Sequence, residues 1–165
     1  KECGSLVPMI ANWPGKIAPG SKTDLLIDGS DFLPTFAELA GAELPKQNTF
    51  DGQSFLPQLL GKKGNDRAWI FMELGNKWYV RNDKWKLNRE GELFDMSNSP
   101  FEEILVTSEK ATPQSEAARK ELQAVLDKLA PQNGILDNGD GSGRHANKEK
   151  NKQKKSAEKT EKEQE

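Results

Sequence analysis

Apolar residues along this chain change their spacing three times, and each spacing calls for a different element. Residues 6–13 form a nearly unbroken apolar run, Leu6-Val7-Pro8-Met9-Ile10-Ala11 up to Trp13, stopped by Pro14-Gly15. Pro8 lacks the amide hydrogen that a helix interior needs, so the run predicts a strand buried on both faces. Pro14-Gly15 and Pro19-Gly20 bracket a turn-rich loop, and residues 22–28, centred on Leu25-Leu26-Ile27, predict a second short strand.

The period then becomes helical. Ser30 or Asp31 can cap a helix carrying Phe32, Leu33, Phe36, Leu39 and Ala40, with Gly41 where a left-handed residue ends it. After a loop containing Pro45 and Asp51-Gly52, residues 54–60 predict a second helix with Phe55, Leu56, Leu59 and Leu60 on one side, ending at Gly61. From 68 to 96 the period drops to two, interrupted by Gly75-Asn76, Asn82-Asp83 and Glu90-Gly91. That pattern predicts an antiparallel meander with strands at 69–74, 78–82, 84–88 and 92–95. Thr112 can cap, and Pro113 open, a helix whose Leu122, Val125, Leu126 and Leu129 form a stripe stopped by Pro131. The expected unit is α+β: a four-stranded antiparallel sheet packed on a C-terminal helix.

Composition changes this picture mainly at the end. The mean hydropathy of -0.82 is pulled down by residues 132–165, a Lys/Glu-rich stretch that is expected to be disordered. The remainder suits one modest domain. Net charge is -2 with acids and bases interspersed, so no global field draws in nucleic acid or an anionic membrane. The tail nearly balances its charges and has no aromatic residue for base stacking, which argues against a nucleic-acid arm. No apolar run is long enough for a membrane span. The single cysteine, Cys3, has no partner for an internal disulfide, and no Cys/His spacing suits zinc. His145, the one histidine, sits in the polar tail and is expected to be a solvated residue rather than a base or ligand. The start at Lys1, running directly into the apolar segment, leads us to expect an excised piece whose upstream part is missing.

Several ordered blocks resemble the type I sulfatase (arylsulfatase) family. Glu2-Cys3-Gly4-Ser5-Leu6-Val7-Pro8, with Trp13-Pro14-Gly15, is similar to its E-G-G-x-R-V-P block and following W-P-G. Asp31-Phe32-Leu33-Pro34-Thr35 with Leu39-Ala40-Gly41 resembles D-L-x-P-T-x-x-x-L-A-G, and Asp51-Gly52-Gln53-Ser54-Phe55-Leu56-Pro57 resembles D-G-x-S-L-L-P. Arg67-Ala68-Trp69-Ile70-Phe71, Lys84-Trp85-Lys86-Leu87 and Glu92-Leu93-Phe94-Asp95-Met96 with Pro100 follow in the family order. The likeness covers about the first 130 residues and consists mostly of structural blocks.

This resemblance implies an alkaline-phosphatase-like α/β fold, of which 1–61 would end the N-terminal domain, 62–131 form the C-terminal subdomain, and 132–165 be a tail. It also implies hydrolysis of sulfate esters with a formylglycine, made from the Cys or Ser of C/S-x-P-x-R, beside a calcium. Neither belongs to this chain's own residues: Cys3 is followed by Gly4, Ser5 and Leu6, without the Pro and Arg of that motif. No catalytic residue and no metal ligand is therefore assigned. Leu6 stands where many relatives carry Arg or His, and Lys1 aligns with a variable position rather than with the family's catalytic lysine.

The residues carried forward as candidate substrate contacts are Lys77, Trp78 and Arg81, in a region where the family's subdomain can approach the substrate pocket. A basic side chain there could meet a sulfated sugar or aryl ring; alternatively Lys77 and Arg81 are solvated edge-strand charges. Trp69, Trp78 and Trp85 could form a sugar-stacking platform or the core of the sheet. Two functions stay open. One is the C-terminal part of a sulfuric ester hydrolase acting on a sulfated small molecule or glycan, at a periplasmic, secreted or lysosomal address. The other is a truncated non-catalytic relative, either a binding or interaction module or a gene remnant.

Overall fold

The structure, a computed structural model, describes residues 5–133. The expectations for Cys3, His145 and the Lys/Glu tail lie outside the described residues.

The meander forms as the period-two pattern predicts. Strands β1 (Ile70–Leu74), β2 (Lys77–Arg81), β3 (Trp85–Asn88) and β4 (Leu93–Asp95) pair antiparallel in sequence order. A two-residue strand, β5 (Ile104–Leu105), adds to the β4 edge and escapes sequence reading because two residues carry no period. Each connection is fixed by its turn chemistry. Gly75 supplies a φ of 63° for the β1–β2 loop. Asn82 Oδ1 accepts from the amides of Lys84 and Trp85 at 3.1 and 2.8 Å between β2 and β3.

Alternation sorts the sheet into two faces. On one, Phe71, Val80, Leu87 and Leu93 stand in a cross-strand row with Trp78 alongside. Helix α3 (Pro113–Leu129) covers this face with Leu122 and Leu126, while Trp69, Trp85, Val106 and Val125 pack at the margins. Val80, Leu87 and Leu93 are completely buried. The helix begins as expected: Thr112 accepts from the amide of Ser115, and Ser115 returns a bond to the Thr112 amide. It ends at Ala130, left-handed at φ 45°, before Pro131. The buried stripe runs Ser115, Ala118, Leu122, Leu126, whereas Leu129 is half exposed at the helix end.

The leading region differs more from its expectation. Residues 6–13 and 22–28 belong to no strand, because a strand exists only where a neighbour accepts its ladder and none pairs with them among the described residues. Helix α1 (Phe32–Ala40) is present and ends at left-handed Gly41. Its entry is one turn earlier than the sequence suggests: Asp28 caps a short 3-10 turn at Gly29–Asp31, accepting from Ser30 while Asp31 accepts from the Asp28 amide. Asp31 stands at the N-cap position of α1, as expected, but its side chain makes no capping bond there, since the carboxylate is engaged elsewhere. Helix α2 (Leu56–Leu59) is shorter than expected, with Pro57 in its first turn, and buries Leu56 beside Phe55.

Candidate functional site

Two buried polar assemblies join the leading region to the sheet. The first gathers three of the sequence blocks. Asp31, only 2% exposed, accepts from the Gln53 amide at 2.7 Å and is ion-paired with Arg67, whose Nε donates to it at 2.9 Å. Arg67 donates further to the carbonyls of Asp51 and Trp69. Thr35 donates to the Asp31 carbonyl at 2.7 Å and accepts from the Phe55 amide at 3.1 Å. Gly52 lies so close to the Ser30 carbonyl that a Cβ would come within 2.0 Å of its oxygen, so no side chain fits there without moving backbone. Burial pushes the Asp31 carboxyl up, and the Arg67 guanidinium with the Asp28 and Gln53 amides holds it, on balance, below the usual range. This assembly fixes geometry: the Arg67 Nε, Nη1 and Nη2 each donate to a structural partner.

The second assembly lies on the sheet face turned away from α3. Here Ile70, Arg81, Lys86, Phe94 and Leu105 form a cross-strand row, with Tyr79 next to it. Lys86, 6% exposed, reaches Glu103 at 2.5 Å and stands 5.2 and 4.9 Å from the ring centroids of Tyr79 and Phe94. Burial pushes the Glu103 carboxyl up, and the Lys86 ammonium pulls it below its ordinary range. The Tyr79 hydroxyl donates to Ser5 Oγ at 2.6 Å, joining β2 to a residue 74 positions earlier. Arg81 gives its Nε and Nη2 to the carbonyls of Asn82 and Asp83 at 2.9 and 3.0 Å.

The three sequence candidates are therefore adjacent in β2 but not convergent. Lys77 is exposed at the start of the strand. Trp78 points to the other face, into the core against α3, with Arg89 stacked 4.5 Å from its centroid. Arg81 shares the Tyr79 and Lys86 face but is only 7% exposed, and β2 is an interior strand. The alternative of solvated edge charges thus does not describe Arg81. Of the tryptophans, Trp78 is core and the other two pack against it, so they make no open platform on this face. Sequence reasoning missed Tyr79, Lys86 and Glu103. Alternation places Lys86 on the face opposite to that of the core-facing Leu87, where a cation is unremarkable, and nothing local marks its partner 17 residues on.

A cavity of about 480 Å³ opens in the leading region, lined by Met9, Ile10, Leu25, Ile27, Phe55 and Leu59 among others, and by Asp31 and Arg67. None of the three candidates reaches it. Among the described residues no group of three His, Cys, Asp or Glu side chains stands together as a metal-ligand set. The calcium that the resemblance implies has no ligand set in them, and no chemistry is assigned here through it. No helix among the described residues is long and apolar enough to cross a membrane.

Comparison with known proteins gives a consistent result. The family described as N-sulphoglucosamine sulphohydrolase, C-terminal, matches residues 2–132. The chain is similar to an ulvan-active sulfatase of Formosa agariphila, 43% identical over 91 residues, covering 54% of this chain and 16% of that protein. It is also similar to arylsulfatase A of Homo sapiens, 42% identical over 91 residues, covering 52% of this chain and 18% of that protein. Against steryl-sulfatase of Rattus norvegicus it is 45% identical over 60 residues, which cover 36% of this chain and 10% of that protein. The chain thus spans less than a fifth of the length of these relatives.

Proposed function

The chain belongs to the sulfatase family, in its C-terminal portion, and from that premise we propose that it forms the C-terminal part of a sulfuric ester hydrolase and supports the mouth of the active site. In this reading 1–61 completes the large N-terminal domain, 62–131 is the C-terminal subdomain, and 132–165 is a tail. The nucleophile and the cation that a sulfate ester's negative charge demands lie in sequence preceding these residues, so the chain is inactive alone. The observation that carries this is the pair of polar assemblies. Through them Asp31 is bonded to Arg67, just ahead of β1, and Ser5 accepts from Tyr79 in β2, so the leading region is tied to the small sheet and its approach.

Within the same proposal the substrate is a sulfated small molecule or glycan. Lys77 is the candidate contact, as an exposed cation beside the β1–β2 loop, while Trp78 and Arg81 hold β2 in place on either side of it. The test is hydrolysis of a chromogenic aryl sulfate with calcium present, comparing this chain with a form extended upstream to the full reading frame. Turnover in the extended form only is expected, with a several-fold lower kcat/KM in its Lys77→Ala variant. Turnover by this chain alone would overturn the division of labour, and an unchanged kcat/KM would remove Lys77 from the site.

A further inference from the structure

We propose that the outward face of α1, anchored on Phe36, is a docking surface, and that its partner is an apolar surface of the sequence that precedes these residues in the full reading frame. This inference rests on the sulfatase reading above. At about 100° per residue, Phe32, Leu33, Leu39 and Ala40 all fall within about 60° of Phe36, so the helix carries an apolar stripe about 120° wide. A stripe of that width ordinarily faces a core. Here the helix is turned the other way. The residue it buries is Thr35, which donates to the Asp31 carbonyl and accepts from the Phe55 amide, while Leu33, Phe36 and Leu39 are exposed, Phe36 at 59%.

The anchor is held in place before it docks. The Phe36 ring centroid lies 5.9 Å from that of Phe32, which meets the buried Phe55 edge-on at 5.5 Å. An aromatic side chain fixed in this way concentrates binding energy, because little rotamer freedom is left to lose. Charge and size then select the occupant. Residues 29–41 contain Asp31 and Glu38 but no Lys or Arg, whereas a helix lying on an anionic membrane carries basic residues along its polar face. A second copy meeting this helix finds too little surface: at about 1.5 Å per residue α1 is roughly 13 Å long, against the ~800 Å² that each partner of a specific dimer buries. The preceding sequence has the size. The chain covers only 16% and 18% of the ulvan-active sulfatase and of human arylsulfatase A, and the matched family portion is the C-terminal one. Leu6, Val7 and Ile10, also exposed, belong to the same leading region and extend the apolar surface that such a partner would cover.

The experiment is hydroxyl-radical footprinting of the unsubstituted proteins, read residue by residue by mass spectrometry, in this chain and in the upstream-extended enzyme. We expect Phe36 and Leu33 to be oxidised readily in the chain and about tenfold or more slowly in the extended enzyme, with the core residues Leu87 and Leu122 protected in both. Phe36→Ser should lower the Tm of the extended enzyme by a few degrees and leave that of the chain alone unchanged. Equal oxidation of Phe36 in the two forms, or an unchanged Tm of the substituted extended enzyme, would overturn the docking surface. So would protection in the chain alone that grows with protein concentration, which would assign the face to a second copy, or that appears on adding anionic phospholipid vesicles, which would assign it to a membrane. Hydrolysis of an aryl sulfate is followed in the same extended enzyme: protection of Phe36 without turnover would keep the docking and overturn only the assignment of the reaction.

Discussion

The sheet with α3 and the leading region use the same kinds of side chain to opposite effect. In the first, Val80, Leu87 and Leu93 are fully buried and Leu122 is 1% exposed. In the second, Ile10 is 94%, Val7 72% and Phe36 59% exposed. Apolar residues stabilise only when a second layer removes them from water, at about 25 cal/mol per Å². The meander carries its own second layer a few residues downstream in α3, and so closes a core. The leading segments have no such cover among the described residues; there, local shape is set by the polar bonds of Asp31, Thr35 and Arg67. One region is held by packing, the other by a joint.

Removing the joint is expected to widen that difference most. Arg67→Ala leaves the Asp31 carboxylate buried without its cation, at a cost of about 3–5 kcal/mol. Amide exchange should show protection lost over 28–56 and kept over 77–95. Equal loss in both stretches would mean that the sheet is not independent of the joint. A cut in the packed region gives the complementary result. Leu87→Ala opens a cavity between β3 and α3 and should cost about 2–4 kcal/mol, lowering protection over 77–95 and 115–126 first. A Tm unchanged by this substitution would contradict the core described here.

Acid provides a milder test of the joint. The Asp31 carboxyl is held below its ordinary range, so its bonding stabilises the fold above the unfolded-state value and is lost as pH falls through the folded one, below about pH 4. Asp31→Asn should flatten that acid limb of the Tm profile. An acid limb of unchanged slope would assign the loss to another carboxyl, Glu103 being the other one lowered by a buried cation.

How much of this was legible beforehand depends on the distance over which each feature is decided. The meander and the last helix were visible because alternation, turn residues and the Thr112–Pro113 start are local signals, set within about ten residues. The strands at 6–13 and 22–28 were not realised, because apolarity states a need for burial without saying what supplies the partner. The site candidates show the same division. Adjacency in sequence put Lys77, Trp78 and Arg81 together, but the pleat sends Trp78 to one face and Arg81 to the other.

The sequence by itself determined the elements of the sheet–helix unit, the capping of α3, and the ordered blocks that mark the sulfatase family. Only the tertiary structure decided what those blocks do. Asp31 meets Arg67 across 36 positions, Lys86 meets Glu103 across 17, and Tyr79 meets Ser5 across 74. Such pairings leave no local trace because a hydrogen bond is fixed by atoms brought within about 3 Å, and only the folded path of the backbone brings them there.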